Sequence, residues 1–235
     1  MELLLILSVA WAAGLTALLG GFLACLEGSG ESQAKRELIH GVVAFGGGVL
    51  LAAVAFALTP HGIKELPPWG LALSFVAGGI VFCGVDAWIS RQSGSKAQLM
   101  ALLLDYLPEA LALGALFSKS REAGLLLALF IGMQNLPEGF NAHRENTSNG
   151  MKKSRSLVCL LVATLLGPLA AFCGHAFLGD QEVITAAIMC FAAGGILYLV
   201  FQDIAPQATM KRHWLPPLGA VLGFVLGMFS KQLIG

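Results

Sequence analysis

DYLPEALALG, from Asp105 to Gly114, and QNLPEGFNAH, from Gln134 to His143, repeat one another inside two apolar stretches of membrane length. Each sets a proline and then a glutamate at the same offset: Pro108 and Glu109 in the first, Pro137 and Glu138 in the second. A carboxylate near the middle of a bilayer costs about 3 kcal/mol even on lenient scales, so it is rarely there without a use. Two of them, duplicated together with their prolines, point to a polar site for a cation inside a helical bundle.

The rest of the composition agrees with a membrane setting. Of 235 residues, 57% are hydrophobic and 12% charged, against about 25% charged in a soluble domain. Mean hydropathy is +0.78. The lipid bilayer is therefore an expected partner. Net charge is zero, with no basic or acidic block, which argues against nucleic acid. The five cysteines (Cys25, Cys83, Cys159, Cys173 and Cys190) are scattered through apolar surroundings without a CxxC pair, so they are expected as small buried hydrophobes.

A spanning helix takes about 20 mainly apolar residues. Eight segments qualify, near 3–25, 39–59, 69–90, 97–117, 122–142, 156–178, 183–205 and 215–234. The expected fold is thus all-α and polytopic, one transmembrane domain over residues 1–235. The stretch from Leu3 to Cys25 lacks a preceding basic region and reads as a first spanning helix rather than a cleaved signal. The connections are short, and His143 to Arg155 reads as an ordinary polar loop. Placing both termini outside puts Lys35, Arg36, Arg91, Lys96, the four basic residues of the 143–155 loop, Lys211 and Arg212 on the inner side, most of the 14 lysines and arginines. Basic residues favour the cytoplasmic side, so that orientation is expected, in a cell (cytoplasmic) membrane. Dense small residues, such as Gly46–Gly48, let helices approach closely. Their faces also suit a homodimer.

Asp105 and Glu109 stand four apart on one helix face, as do Gln134 and Glu138 on the next helix. Should those helices pack, three carboxylates and an amide converge. They then need a cation between them, or protons. Pro108 and Pro137 add to this, since each lacks an N–H and crowds the carbonyl four residues earlier, freeing oxygens beside the acids. Asn141 shares the face of Glu138 and could add a carbonyl contact, while Tyr106 and Asn135 point partly elsewhere. Asp203 marks either one mouth of a pathway or an interface, and Asp86 reads as interfacial. His40, His61, His143 and His213 fall at helix ends, with His175 near one, so each is expected at an interface. His61 and His143 are the better candidates for a transient metal contact.

At these residues the chain resembles the ZIP family of divalent metal transporters, a divergent member of it. The family's fourth helix reads His-Asn-x-Pro-Glu-Gly and its fifth His/Gln-Glu/Asp-x-Pro-Glu-Gly; the matching stretches here are Asp105-Tyr-Leu-Pro-Glu109-Ala and Gln134-Asn-Leu-Pro-Glu138-Gly139. The likeness extends to the glycine-rich helix from Phe45 and the Ala-Gly-rich helix from Phe191. It implies eight helices, outer termini and transport of a divalent cation. It also implies one metal held by Asp105, Glu109, Gln134 and Glu138. Family members often hold a second metal, whose ligand positions here are Tyr106, Asn135 and Gly167 beside the shared glutamates. Those three departures predict one site rather than two.

The departures also bear on the metal. Asp105 stands where histidine is usual, leaving an all-oxygen set. Such a set suits manganese, magnesium or iron(II) without excluding zinc. The substrate is thus expected in the zinc, iron or manganese class, with no organic cofactor. No ATP-binding motif occurs, so movement follows the metal gradient or couples to protons. Two other readings compete: a metal-binding or regulatory relative that has lost transport, and an intramembrane enzyme. The second lacks a nucleophile with a paired histidine and an HExxH motif, so the chain is not read as an enzyme.

Overall fold

The computed structural model describes residues 2–26, 32–91, 97–211 and 213–234. The side chain of Asp105 and the loop residues Lys96 and Arg212 lie outside the described residues. Eight helices run through the described chain. They are α1 (Glu2–Leu26), α2 (Gln33–Glu65), α3 (Pro68–Ser90), α4 (Ala97–Phe117), α5 (Arg121–Ser148), α6 (Lys153–Leu178), α7 (Glu182–Ala208) and α8 (Leu218–Ile234). No strand occurs among the described residues, only an isolated bridge between Met210 and His213.

Five helices, α1, α2, α3, α6 and α7, are long and apolar enough to cross a membrane. Of the others, α8 has 17 residues, and α5 has 28 but carries the polar face described below. Outward-facing Leu73, Val76 and Ile80 on α3, Val162 and Leu169 on α6, and Leu222 and Phe229 on α8 are all exposed. Apolar exposure on this scale needs lipid as its solvent. The fold is an all-α polytopic membrane protein.

The helices sort into two groups. One is α1, α4, α5 and α6, which pack on one another; in the other, α2 packs on α8 and α7, and α3 on α7. Contacts of α2 with α5 and of α4 with α7 join them. Glycines set the closest approaches. A methyl at Gly139 of α5 would strike the backbone of Ala17 in α1, and one at Gly20 of α1 would strike Leu136 in α5. This reciprocal pair lets the two backbones nearly touch. Gly114 on α4 and Gly174 on α6 cross in the same way. The small-residue faces are therefore largely consumed within one chain.

Three helices contain a π turn: Val54–Leu58 in α2, Gly174–Leu178 in α6 and Val200–Ile204 in α7. In α2 and α7 it ends two residues before a proline, Pro60 and Pro206. The amides of Thr59 and Ala205 bond to Val54 and Val200, five residues back. Widening the turn there accommodates a ring that cannot continue the ordinary ladder.

The expected loop from His143 to Arg155 is a correction. α5 stays helical to Ser148 and turns only at Gly150, whose φ of 88° favours glycine. Its polar side chains are not all for solvent: His143 and Asn146 are buried, at 2% and 1% exposure. The helix continues because that face has something to pack against.

Candidate metal centre

α4 and α5 do pack together, which brings the two repeated stretches side by side. Both helices run through their prolines without ending. Pro137 is buried, and Gly46 of α2 leaves room for its ring. Glu109 and Gln134 are each fully buried, and Gln134 Nε2 donates to Glu109 Oε2 at 2.6 Å. At 2.6 Å the contact is at the short end for an N–H···O hydrogen bond. The other end of the amide, Gln134 Oε1, is shielded from solvent and has no hydrogen-bond partner among the described residues. An unused buried acceptor costs about 1–3 kcal/mol. A cation beside it would remove that cost.

Glu138 follows Gln134 by one turn on the same face, with both carboxylate oxygens shielded from solvent. The structure therefore joins Glu109 to Gln134 directly and stacks Glu138 below them. Asp105 lies one turn before Glu109 on α4, its side chain outside the described residues. Among the described residues, no three side chains of His, Cys, Asp and Glu converge as a metal-holding group. The set here is two glutamates and an amide, with Asp105 the fourth by position. Asn141, the next residue along that face of α5, donates from Nδ2 to Gln207 Oε1 at 3.0 Å. It also lines an open cavity of about 480 Å³ with Arg36, His40, Arg144 and Gln207.

About a third of a turn around α5, the surroundings differ. Tyr106 is 2% exposed and donates its hydroxyl to Ala10 O of α1 at 3.0 Å. Its phenol lies where a methyl on either Gly14 or Gly167 would stand, so both glycines are needed to admit it. Asn135, likewise buried, donates Nδ2 to Ala13 O at 3.2 Å. The gap left between Gly14, Ala17, Tyr106, Asn135, Ala163 and Thr164 does not hold a water molecule. Tyr106, Asn135 and Gly167 are the three positions read above as departures. Here they form one packed plug.

Several other expectations change. His143 is not interfacial but buried, with Nε2 3.2 Å from Cys25 Sγ. Cys190 is a buried hydrophobe as expected, whereas Cys83 is exposed and Cys25 is half-buried against a histidine. Asp86 is held by the Tyr198 hydroxyl at 2.9 Å, and His175 Nδ1 lies 2.6 Å from Ser118 Oγ. Asp203 is half-buried in the π turn of α7. Sequence spacing could not have found the Cys25–His143 contact, which spans 118 residues.

Comparison with known proteins bears on the family. A protein of Arabidopsis thaliana, named as a candidate zinc transporter, is 26% identical over an alignment of 185 residues that covers 68% of this chain. The chain spans only 28% of that relative's length. The sequence model of the ZIP zinc transporter family matches residues 89–235, a span that holds α4 to α8 and both Pro-Glu stretches. By that match, the chain belongs to the ZIP zinc transporter family.

Proposed function

We propose that this protein carries a divalent metal cation across a cell membrane through a single oxygen-rich site made by Asp105, Glu109, Gln134 and Glu138. The observation that carries this reading is the 2.6 Å contact between fully buried Glu109 and Gln134, with the amide oxygen left over. Two glutamates on facing helices supply negative charge, and the amide supplies a neutral acceptor. A manganese, iron(II) or zinc ion satisfies both at once. The plug of Tyr106 supports one site rather than two, because it fills the neighbouring space with an uncharged ring.

Each residue has a part in the movement. Asp105 and Glu109 strip water from the ion as they replace it with carboxylate oxygens, and Glu138 holds it on the α5 side. The Glu109–Gln134 bond keeps the two helices in register when the ion leaves. Asn141 and Gln207 line the cavity that receives it. The crowded carboxylates also make protons natural countersubstrates. The two packing groups, joined through α2–α5 and α4–α7, are the bodies whose sliding or rocking would expose the site alternately. Both termini face outside in this proposal, with basic loops inside. A homodimer would have to use the exposed leucine and phenylalanine faces, since the glycine faces are largely occupied within the chain.

Metal uptake into liposomes tests the assignment. Wild-type protein takes up manganese, iron(II) or zinc, and Glu138→Ala reduces uptake to the protein-free background. Absence of flux for all three metals in a folded wild-type protein would favour a binding or regulatory role instead.

A further inference from the structure

α1 ends beside the last two turns of α5, and that junction holds polar atoms that the transport reading does not use. Cys25 Sγ and His143 Nε2 lie 3.2 Å apart. His143 and Asn146, three residues apart on α5 and thus on one face, are 2% and 1% exposed. Asn146 Nδ2 donates to buried Ser156 Oγ of α6 at 3.3 Å, while Asn146 Oδ1 has no hydrogen-bond partner among the described residues. Nor does His143 Nδ1, so no second contact commits the ring to one tautomer. Gly21, one turn before Cys25, keeps α1 close: a methyl there would press on Leu160 of α6 and approach His143 Cβ.

We propose that Cys25, His143 and Asn146 form a second metal site for a zinc-class cation, lodged between α1, α5 and α6. It is separate from the carboxylate face. His143 lies about 140° around α5 from Glu138 at 3.6 residues per turn, on the side that carries Asn135 and Gly139 toward α1.

The chemistry differs from that of the central set. Thiolate sulfur and imidazole nitrogen select zinc-like metals, whereas carboxylate and carbonyl oxygens suit manganese and magnesium. A sulfur at roughly 2.3 Å and a nitrogen at roughly 2.0–2.1 Å from one tetrahedral zinc stand about 3.6 Å apart. The observed 3.2 Å therefore needs to widen by only a few tenths of an ångström. The ion would displace the proton shared between Sγ and Nε2, and that proton leaves to solvent as the thiolate binds. Asn146 Oδ1 is the third donor and gains the partner it lacks. Cys25 is half-buried, which leaves a fourth position for water. Occupancy would tie the end of α1 to α5, next to the α5–α6 turn.

Cobalt(II) titration of the purified protein in detergent is the test, because only a thiolate gives the sulfur-to-cobalt charge-transfer band. Wild type is expected to develop that band at about one equivalent of cobalt, Cys25→Ser to abolish it, and His143→Gln to weaken binding about tenfold or more. Glu138→Ala should keep the band unchanged, which separates this site from the central one. No band in wild type, or a band that survives Cys25→Ser, would overturn the proposal. Alkylation of wild-type Cys25 provides a check that needs no cysteine variant. Zinc should slow modification at least tenfold, and His143→Gln should lose that protection; equal rates with and without zinc mean a merely hydrogen-bonded pair.

Discussion

Two faces of α5, about 100° apart, place polar atoms in lipid in different ways. On one, Gln134 meets Glu109 and Glu138 follows, so charge gathers around an amide oxygen with nothing to accept. On the other, Asn135 sits beside Tyr106, and both donate to backbone carbonyls of α1. Asn135 Oδ1 also lacks a hydrogen-bond partner among the described residues, so unused acceptors alone do not separate the two faces. Charge and room do. The first face has carboxylates, while the second has an uncharged ring and no space for a water molecule. On the proposed assignment, negative charge as well as donors marks the metal site, and packing alone closes the position beside it.

The contrast breaks most visibly at the charged face. Glu138→Ala is expected to bring metal uptake to background, whereas Tyr106→Phe, one helix away on the closed face, leaves uptake near wild type; parallel liposome assays compare them. Next in size is an attempt to open the plug. Tyr106→Asn together with Gly167→Glu removes the ring and adds a carboxylate beside the shared Glu109 and Glu138. Bound manganese, measured by equilibrium dialysis, should then rise from about one to about two per chain. An unchanged stoichiometry would mean that the plug is not what limits the count.

Smaller effects probe the packing itself. Gly167→Ala drives a methyl into the phenol of Tyr106, and overpacking of this kind costs about 1–3 kcal/mol. Thermal unfolding in detergent should show that loss, and Tyr106→Ala in the same chain should suppress it, since the two positions are coupled through contact. The least effect is that of Tyr106→Phe on stability, about 1 kcal/mol for one lost hydrogen bond to Ala10. A loss several times larger would show that the hydroxyl, rather than the ring's volume, holds the plug.

Much of the fold is legible in the sequence. Eight apolar segments became eight helices because lipid forces every backbone group into a helix, leaving hydropathy little freedom to mislead. Two i, i+4 patterns place Glu109 and Gln134 on faces that converge if their helices pack; the direct bond between them is visible only in the structure. The misjudged loop after His143 has a physical reason. Its polar residues looked solvated by composition, yet His143 and Asn146 are spent on α1 and α6, and composition does not reveal which side of a helix is covered. Tyr106 was legible as a departure from the family pattern but not as a plug, because its partners Gly14 and Gly167 lie on other helices and glycine leaves no signature of what fills its place. The π turns of α2 and α7 were marked only by the prolines that follow them.

The central claim is one oxygen-rich metal site between α4 and α5. Anomalous scattering from crystals soaked in manganese tests it most directly. One peak is predicted, within bonding distance of Glu109, Gln134 and Glu138 and with an Asp105 oxygen among its ligands. A second manganese peak beside Tyr106 and Asn135, or no peak between α4 and α5, would contradict it.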